Sequence, residues 1–309
     1  MFRIRPLAGF KPFTQIIIFT GILGSCLLFS SLLGILLLMV IYGPDSVAAV
    51  SNPSLYSTPS VIASLKIIQI VNQAFGLLFP AVLFALFASR NPGKYLRFGT
   101  RQWPVMMIAS ASLIVTAQPV IGWLGEMNAR LVLPESLSGL ETWLENSEQQ
   151  AARLTEAFLS TTTYTGLAVN VLMIGILPAL AEEIVFRGVL QRLFGKLVGN
   201  MHWGIIISAI IFAGIHLQFY GFLPRFALGL VFGYLFLWTG NLWIPITAHF
   251  INNLLSVSTE FLFRKGLIGI DSTELGNTGN IFLIVAAFII SGLLLFWFQR
   301  KRSGADLHD

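Results

Sequence analysis

The sequence predicts an all-α fold, a polytopic membrane helix bundle of about eight transmembrane helices. Three observations predict it. Hydrophobic residues make up 55% of the 309 and charged residues only 11%, against roughly 25% charged in an ordinary soluble domain. Too little charge is present to cover a soluble globule of this size. The apolar residues fall into runs long enough to cross a bilayer, which takes about 20 residues per helix. The basic residues collect between alternate runs, the positive-inside pattern. The same numbers exclude an intrinsically disordered chain. A lone cysteine, Cys26 inside an apolar run, excludes a disulfide-stapled secreted fold. The net charge of +5 is read by position as a topology signal, and no nucleic-acid partner is expected.

In chain order, the first run spans about 15–42. Arg3, Arg5 and Lys11 precede it, as in a signal peptide. It is too long for a signal h-region and no small-residue cleavage site follows, so it reads as a retained first helix. Further runs span about 62–89, 103–124, 167–194, 203–217, 222–239, 242–263 and 281–298. With the N-terminus inside, the inner segments hold 13 of the 19 lysines and arginines, including Arg90, Lys94, Arg97, Arg101 and Arg300 to Arg302. Both termini are therefore expected in the cytoplasm. Lys66, near the outer end of the second run, is expected to snorkel. The loop at 125–164 is acidic, with Glu126, Glu135, Glu141, Glu145, Glu148 and Glu156 against two arginines. Leu140, Trp143, Leu144, Ala151, Leu154 and Phe158 recur in it at helical spacing. It reads as an external amphipathic helix lying on the membrane or capping the bundle. Three regions follow: an N-terminal three-helix part at 1–164, a core at 165–263, and a last helix with a basic tail at 264–309.

Ionisable groups inside spans are expensive, so each is a functional candidate. Glu182 and Glu183 are adjacent and about 100° apart on a helix. Glu183 and Arg187 are at i and i+4, positioned to pair and so relieve the burial of both. Glu182 is left without a partner. Either the fourth helix ends here with these charges at the interface, or it continues and buries them. Phe212 and His216 are again at i and i+4, as are His249 and Asn253. A lone intramembrane histidine or asparagine is compatible with interhelical hydrogen bonding alone, worth about 1 kcal/mol. Together the helices can converge one carboxylate, two imidazoles and an amide. A carboxylate and a histidine can activate water, and a histidine with an asparagine can hold an oxyanion. The chemistry alone reaches an intramembrane hydrolase or a proton-coupled transporter.

The ordered set Glu182-Glu183-x-x-x-Arg187, Phe212-x-x-x-His216 and His249-x-x-x-Asn253 resembles the CPBP family. These are the CAAX-prenyl-endopeptidase-like, bacteriocin-processing and abortive-infection intramembrane proteases. The resemblance runs over about 166–261, roughly a third of the chain. It implies an endopeptidase acting on a membrane-associated peptide or protein, possible lipidation included, from the cytoplasmic side. By motif position Glu182 would be the general base, His216 would hold the water, and His249 and Asn253 would bind the oxyanion. Glu183, Arg187 and Phe212 would support them. A metal-free glutamate mechanism is favoured. If zinc takes part, Glu182, His216 and His249 would be its ligands. Asn253 is a poor zinc ligand and no His-Glu-x-x-His helix is present. A non-catalytic immunity or scaffold protein of the same fold is the reading the intact residue set argues against. Transporters usually show paired broken helices in two halves, and none is visible.

Depth poses a requirement. At about 1.5 Å per residue, His216 lies about 20 Å from Trp203, whereas His249 is only about 9 Å beyond Trp243. The two meet only if the turn Thr239-Gly240-Asn241 dips into the bundle or the helices tilt strongly. Glu182 reaches the same depth only if its helix runs on to about Lys196. Gly229 and Gly233, a small-xxx-small pair, would permit close packing.

Overall fold

The computed structural model describes residue 7 and residues 9–99 and 103–301. Arg3, Arg5, Arg101, Arg302 and His308, and with them part of the expected charge asymmetry, lie outside the described residues. All eight apolar runs are helical. They form α1 (Pro12–Tyr42), α2 (Pro59–Ala88), α3 (Trp103–Ala129), α5 (Tyr164–Val198), α6 (Met201–Gly214), α7 (Phe222–Thr239), α8 (Trp243–Arg264) and α9 (Ile281–Arg300). The acidic loop contributes α4 (Ser138–Leu159). The described residues contain no strand. The chain is an integral membrane protein.

Six of the helical segments are long and apolar enough to cross a membrane. The other two expected spans differ for stated reasons. The fifth expected span, α6, has only 14 residues, about 21 Å of helix. The seventh, α8, has 22 residues but carries His249, Asn252, Asn253 and Glu260. Its sides are occupied by α3, α5 and α7.

α5 is the hub. It packs on α1 and α2 on one side and on α6, α7 and α8 on the other. Residues 181–193 of α5 are all buried. Around them gather Phe19 of α1, Phe84 of α2, Phe212 of α6, Phe236 of α7 and Ile246 of α8. A second apolar core joins α3, α7, α8 and α9 through Leu113, Phe232, Ala248 and Phe298. Lipid tails are as apolar as these side chains, so tight fit and interhelical hydrogen bonds hold the bundle. Two glycines set the closest approach. A Cβ on Gly204 would stand 2.6 Å from the Gln191 carbonyl oxygen and 2.7 Å from the Gly195 nitrogen. One on Gly233 would stand 2.7 Å from Ile205 and 2.9 Å from the Gln191 side chain. The carbonyls of Gly229 and Gly233 in turn accept from Arg187 and Gln191 of α5.

Of the two alternatives at the Glu pair, the helix continues and buries the charges. α5 runs without a break for 35 residues. Two stretches within it, Val171–Ile176 and Ile184–Leu190, are wider π turns, a feature frequent at functional sites. The turn after α7 is buried: Thr239, Asn241 and Leu242 are 2%, 1% and 0% exposed. Gly240 takes the left-handed φ of 61° that closes α7. The Leu242 amide donates to the Arg97 carbonyl, so the α2–α3 loop covers the turn.

α4 is the amphipathic helix the spacing predicts. Its last residues Ala157, Phe158 and Leu159 are buried against the bundle, while Leu140 and Trp143 are half exposed. Lys66 is half-buried at the wall of a cavity. Its ammonium donates to the Asn170 side-chain oxygen of α5 at 2.8 Å.

Candidate functional site

Five of the residues singled out meet in the buried middle of the bundle. α5 supplies Glu182, Glu183 and Arg187, α8 supplies His249, and α6 supplies Phe212. They are 7%, 0%, 0%, 5% and 3% exposed. The i,i+4 pair forms as spaced, with Arg187 Nη1 donating to Glu183 Oε1 at 2.8 Å. Arg187 Nη2 donates to the Gly229 carbonyl at 3.0 Å. Its guanidinium stands over the rings of Phe212 and Phe232, at 4.9 and 5.3 Å from their centres. A buried cation is thus covered by two aromatic faces, a carboxylate and a carbonyl.

Spacing along one helix did not reveal a second partner for Glu183. The same Oε1 lies 2.9 Å from His249 Nδ1. Glu183 therefore bridges Arg187 and His249 and fixes the imidazole. The ring is also stacked on Phe232, 5.1 Å between centres and 16° between planes, and meets Phe212 edge-on at 5.9 Å. With Nδ1 engaged, Nε2 is the nitrogen that faces Glu182, 3.9 Å from Oε2. Glu182 keeps its carboxylate beside an oriented imidazole.

His216 closes α6 just after Gly214. Its Nδ1 stands 2.7 Å from the Phe212 carbonyl. A carbonyl can only accept, so Nδ1 carries the proton there and Nε2 presents a lone pair. Phe212 thus touches both histidines, ring centre to ring centre 5.3 Å from His216. The turn that follows His216 is held from outside. Glu148 of α4 accepts from Gln218 Nε2 at 3.2 Å and from the Tyr220 amide at 3.3 Å. Asn128 of α3 donates to the Phe219 carbonyl and accepts from the Leu223 amide. Neither anchor was visible in the sequence, because each joins helices about 70 to 95 residues apart.

Asn253 stands one turn beyond His249. Its Nδ2 donates to the Ile174 carbonyl at 2.9 Å, in the first π stretch of α5. The second amide hydrogen is left for another acceptor. Among the described residues no three His, Cys, Asp or Glu side chains gather into a group able to hold a metal ion.

Residues 164–255, which contain every one of these motifs, match the family described as type II CAAX prenyl endopeptidase Rce1-like. Over this segment the chain is similar to that family. The resemblance carried by the motifs and the family match agree on the same third of the chain. Among similar proteins, YpbD of Bacillus subtilis, an uncharacterized protein by name, is 36% identical over 86 residues, 26% of this chain and 41% of that protein. The membrane-embedded CAAX protease MroQ of Staphylococcus aureus is 33% identical over 107 residues, 33% of this chain and 43% of that protein. The chain thus spans less than half the length of the curated relatives it matches. No solved structure matches it. The matched segment coincides with α5 to α8 up to residue 255, so the family match and the buried polar cluster fall on the same helices.

Proposed function

We propose that the chain is an intramembrane endopeptidase that hydrolyses a peptide bond of a membrane-associated peptide or protein, with water activated by Glu182 and without a metal. One observation carries the reading. In a segment similar to the CAAX protease family, one carboxylate of an adjacent pair is consumed by Arg187 and His249, while the other faces an oriented imidazole nitrogen at 3.9 Å.

Roles follow from hydrogen-bonding capacity. Glu182 accepts a proton from water as the water oxygen attacks the carbonyl carbon. His216 Nε2, a lone-pair acceptor, takes a hydrogen bond from the same water and fixes its position. The carbonyl oxygen becomes an oxyanion. The free Nδ2 hydrogen of Asn253 and, in the imidazolium form, Nε2–H of His249 donate to it. Collapse breaks the C–N bond, and the proton held by Glu182 passes to the leaving nitrogen. Glu183 holds His249 in place, Arg187 holds Glu183, and Phe212 packs against both imidazoles. The 165–263 region is the catalytic core under this reading. The termini are cytoplasmic, and the substrate, lipidated or not, is drawn from the bilayer.

The test is purified protein in proteoliposomes with a library of membrane-anchored peptides, Glu182→Gln as control and metal content measured on the same sample. Cleavage that needs Glu182 supports the reading. Cleavage equal in Glu182→Gln would refute it. One tightly bound zinc per chain, lost together with activity on chelation, would replace the metal-free step with a zinc-dependent one on Glu182, His216 and His249.

A further inference from the structure

A cavity of about 1080 Å³ opens between α2 and α5, at the end of the bundle where α4 packs. Val169, the wall residue of α5 nearest to Glu182 in sequence, is 13 residues from it, about 20 Å at 1.5 Å per residue, and none of Glu182, His216, His249 or Asn253 lines the cavity. The upper limit for ordinary small-molecule pockets is about 1,000 Å³.

Its lining is divided. Ile62, Ile67 and Ile70 of α2 and Val169 of α5 give one apolar wall. At the rim stand hydroxyls: Ser54 and Ser57 before α2, and Thr161, Thr162 and Thr163 before α5. Two cations border the same space, Lys66 and Arg153. The first turns of α2 and α5, the positive ends of their dipoles, adjoin it as well. The one acid on the wall, Glu156, lies 3.9 Å from Arg264. Among the described residues no carboxylate lies within ion-pair distance of Lys66, whose hydrogen bond goes to the neutral amide of Asn170.

A cation seven residues inside a spanning helix, about 10 Å from its start at Pro59, calls for an anionic partner. The apolar wall calls for hydrocarbon, and the hydroxyl rim for oxygen acceptors. We propose that this cavity binds one anionic phospholipid, with the phosphate between Lys66, Arg153 and the threonine rim and an acyl chain along the isoleucines of α2. Phosphate takes hydrogen bonds from hydroxyls and charge from lysine and arginine together. A neutral amphiphile would leave Lys66 uncompensated.

The test uses the intact protein in mild detergent, with phosphatidylglycerol, phosphatidylcholine and inorganic phosphate as separate probes. Native mass spectrometry counts bound lipid, and thermal unfolding measures its effect. One phosphatidylglycerol is expected to bind saturably and raise Tm, with phosphatidylcholine weaker by about fivefold or more. Lys66→Met is expected to weaken phosphatidylglycerol by about fivefold and Lys66→Arg to restore it. Arg153→Gln is expected to weaken it less, since Arg153 is exposed. Thr162→Trp, which fills the rim, should block binding with both cations in place, and it decides the matter if Lys66→Met fails to fold. Equal binding of the two lipids, undiminished binding in both Lys66→Met and Thr162→Trp, or displacement of the lipid by inorganic phosphate alone would overturn the proposal.

Discussion

Arg187→Met is the most informative single perturbation of this protein. Methionine keeps most of the side-chain volume between Phe212 and Phe232, so the change isolates the charge. The side chains of Arg187 and Glu183 are 1% and 0% exposed, so solvent does not screen the pair. Removing the guanidinium leaves the Glu183 carboxylate buried with His249 as its remaining partner. Losing one member of a buried pair costs about 3–5 kcal/mol, which is roughly 10² to 10⁴ in the unfolding equilibrium at about 1.4 kcal/mol per tenfold. The assay is unfolding in mixed micelles followed by tryptophan fluorescence, run on the wild type, Arg187→Met, Glu183→Gln and the double variant. The double variant removes both charges and is expected to recover most of the loss, with a coupling of at least about 2 kcal/mol. A cost for Arg187→Met within about 1 kcal/mol of zero, the size expected of an exposed pair, would refute the argument. So would a double variant equal to the sum of the singles.

Four further outcomes follow from the same geometry. Glu182→Gln is expected to abolish proteolysis while leaving thermal stability near wild type, because Glu182 makes no hydrogen bond that the fold depends on; measurable turnover in this variant would move the base elsewhere. Asn253→Ala is expected to lower kcat by about 10²–10³ with little change in KM, the usual size for one lost oxyanion donor. The double change with His249→Ala should cost less than the product of the two losses, and single-turnover kinetics would read it. Chelators are expected to leave activity intact, checked by metal analysis before and after treatment. Gly204→Ala is expected to destabilise by about 1–3 kcal/mol through overpacking, more than Gly229→Ala. Its Cβ would meet backbone of α5 at 2.6 Å, whereas the one on Gly229 meets Ala209 at 3.0 Å; comparable unfolding midpoints would contradict that order.

The helices were legible because hydrocarbon imposes length and composition on any span, and all eight runs proved helical. α8 was legible as a helix, but not as a polar one packed inside the bundle. Its lower apolarity is the same fact as its His249, Asn252 and Asn253. The Glu183–Arg187 pair was legible because i,i+4 spacing is a local rule. The Glu183–His249 bond joins positions 66 residues apart, and nothing local encodes it. The bond from Asn253 to Ile174 depends on a π turn in α5, an inserted residue that a 3.6-residue periodicity does not register. A buried 239–242 turn was one of the two arrangements that the unequal distances of the two histidines from their helix ends allow, strong helix tilt being the other. The cavity at the α4 end left no signal beyond one lysine in an apolar run.

α5 has a consequence for the membrane around it. Its 35 residues extend about 52 Å at 1.5 Å per residue, against about 30 Å of hydrocarbon. To fit wholly within that thickness it would have to lean well beyond the tilts of up to about 40° seen in membrane helices. The burial pattern resolves the mismatch. Residues 181–193 are enclosed by protein and meet no lipid, while exposed positions recur through 164–180. The exposed positions lie in the first 17 residues, about 26 Å, and again at Leu197 and Val198 at the far end. α5 is thus a short span joined end to end with a core helix, and the junction falls at Ala181–Glu182. A thicker or thinner bilayer would strain the lipid-facing half first and leave the carboxylates, which belong to the enclosed half, in register with α6 and α8.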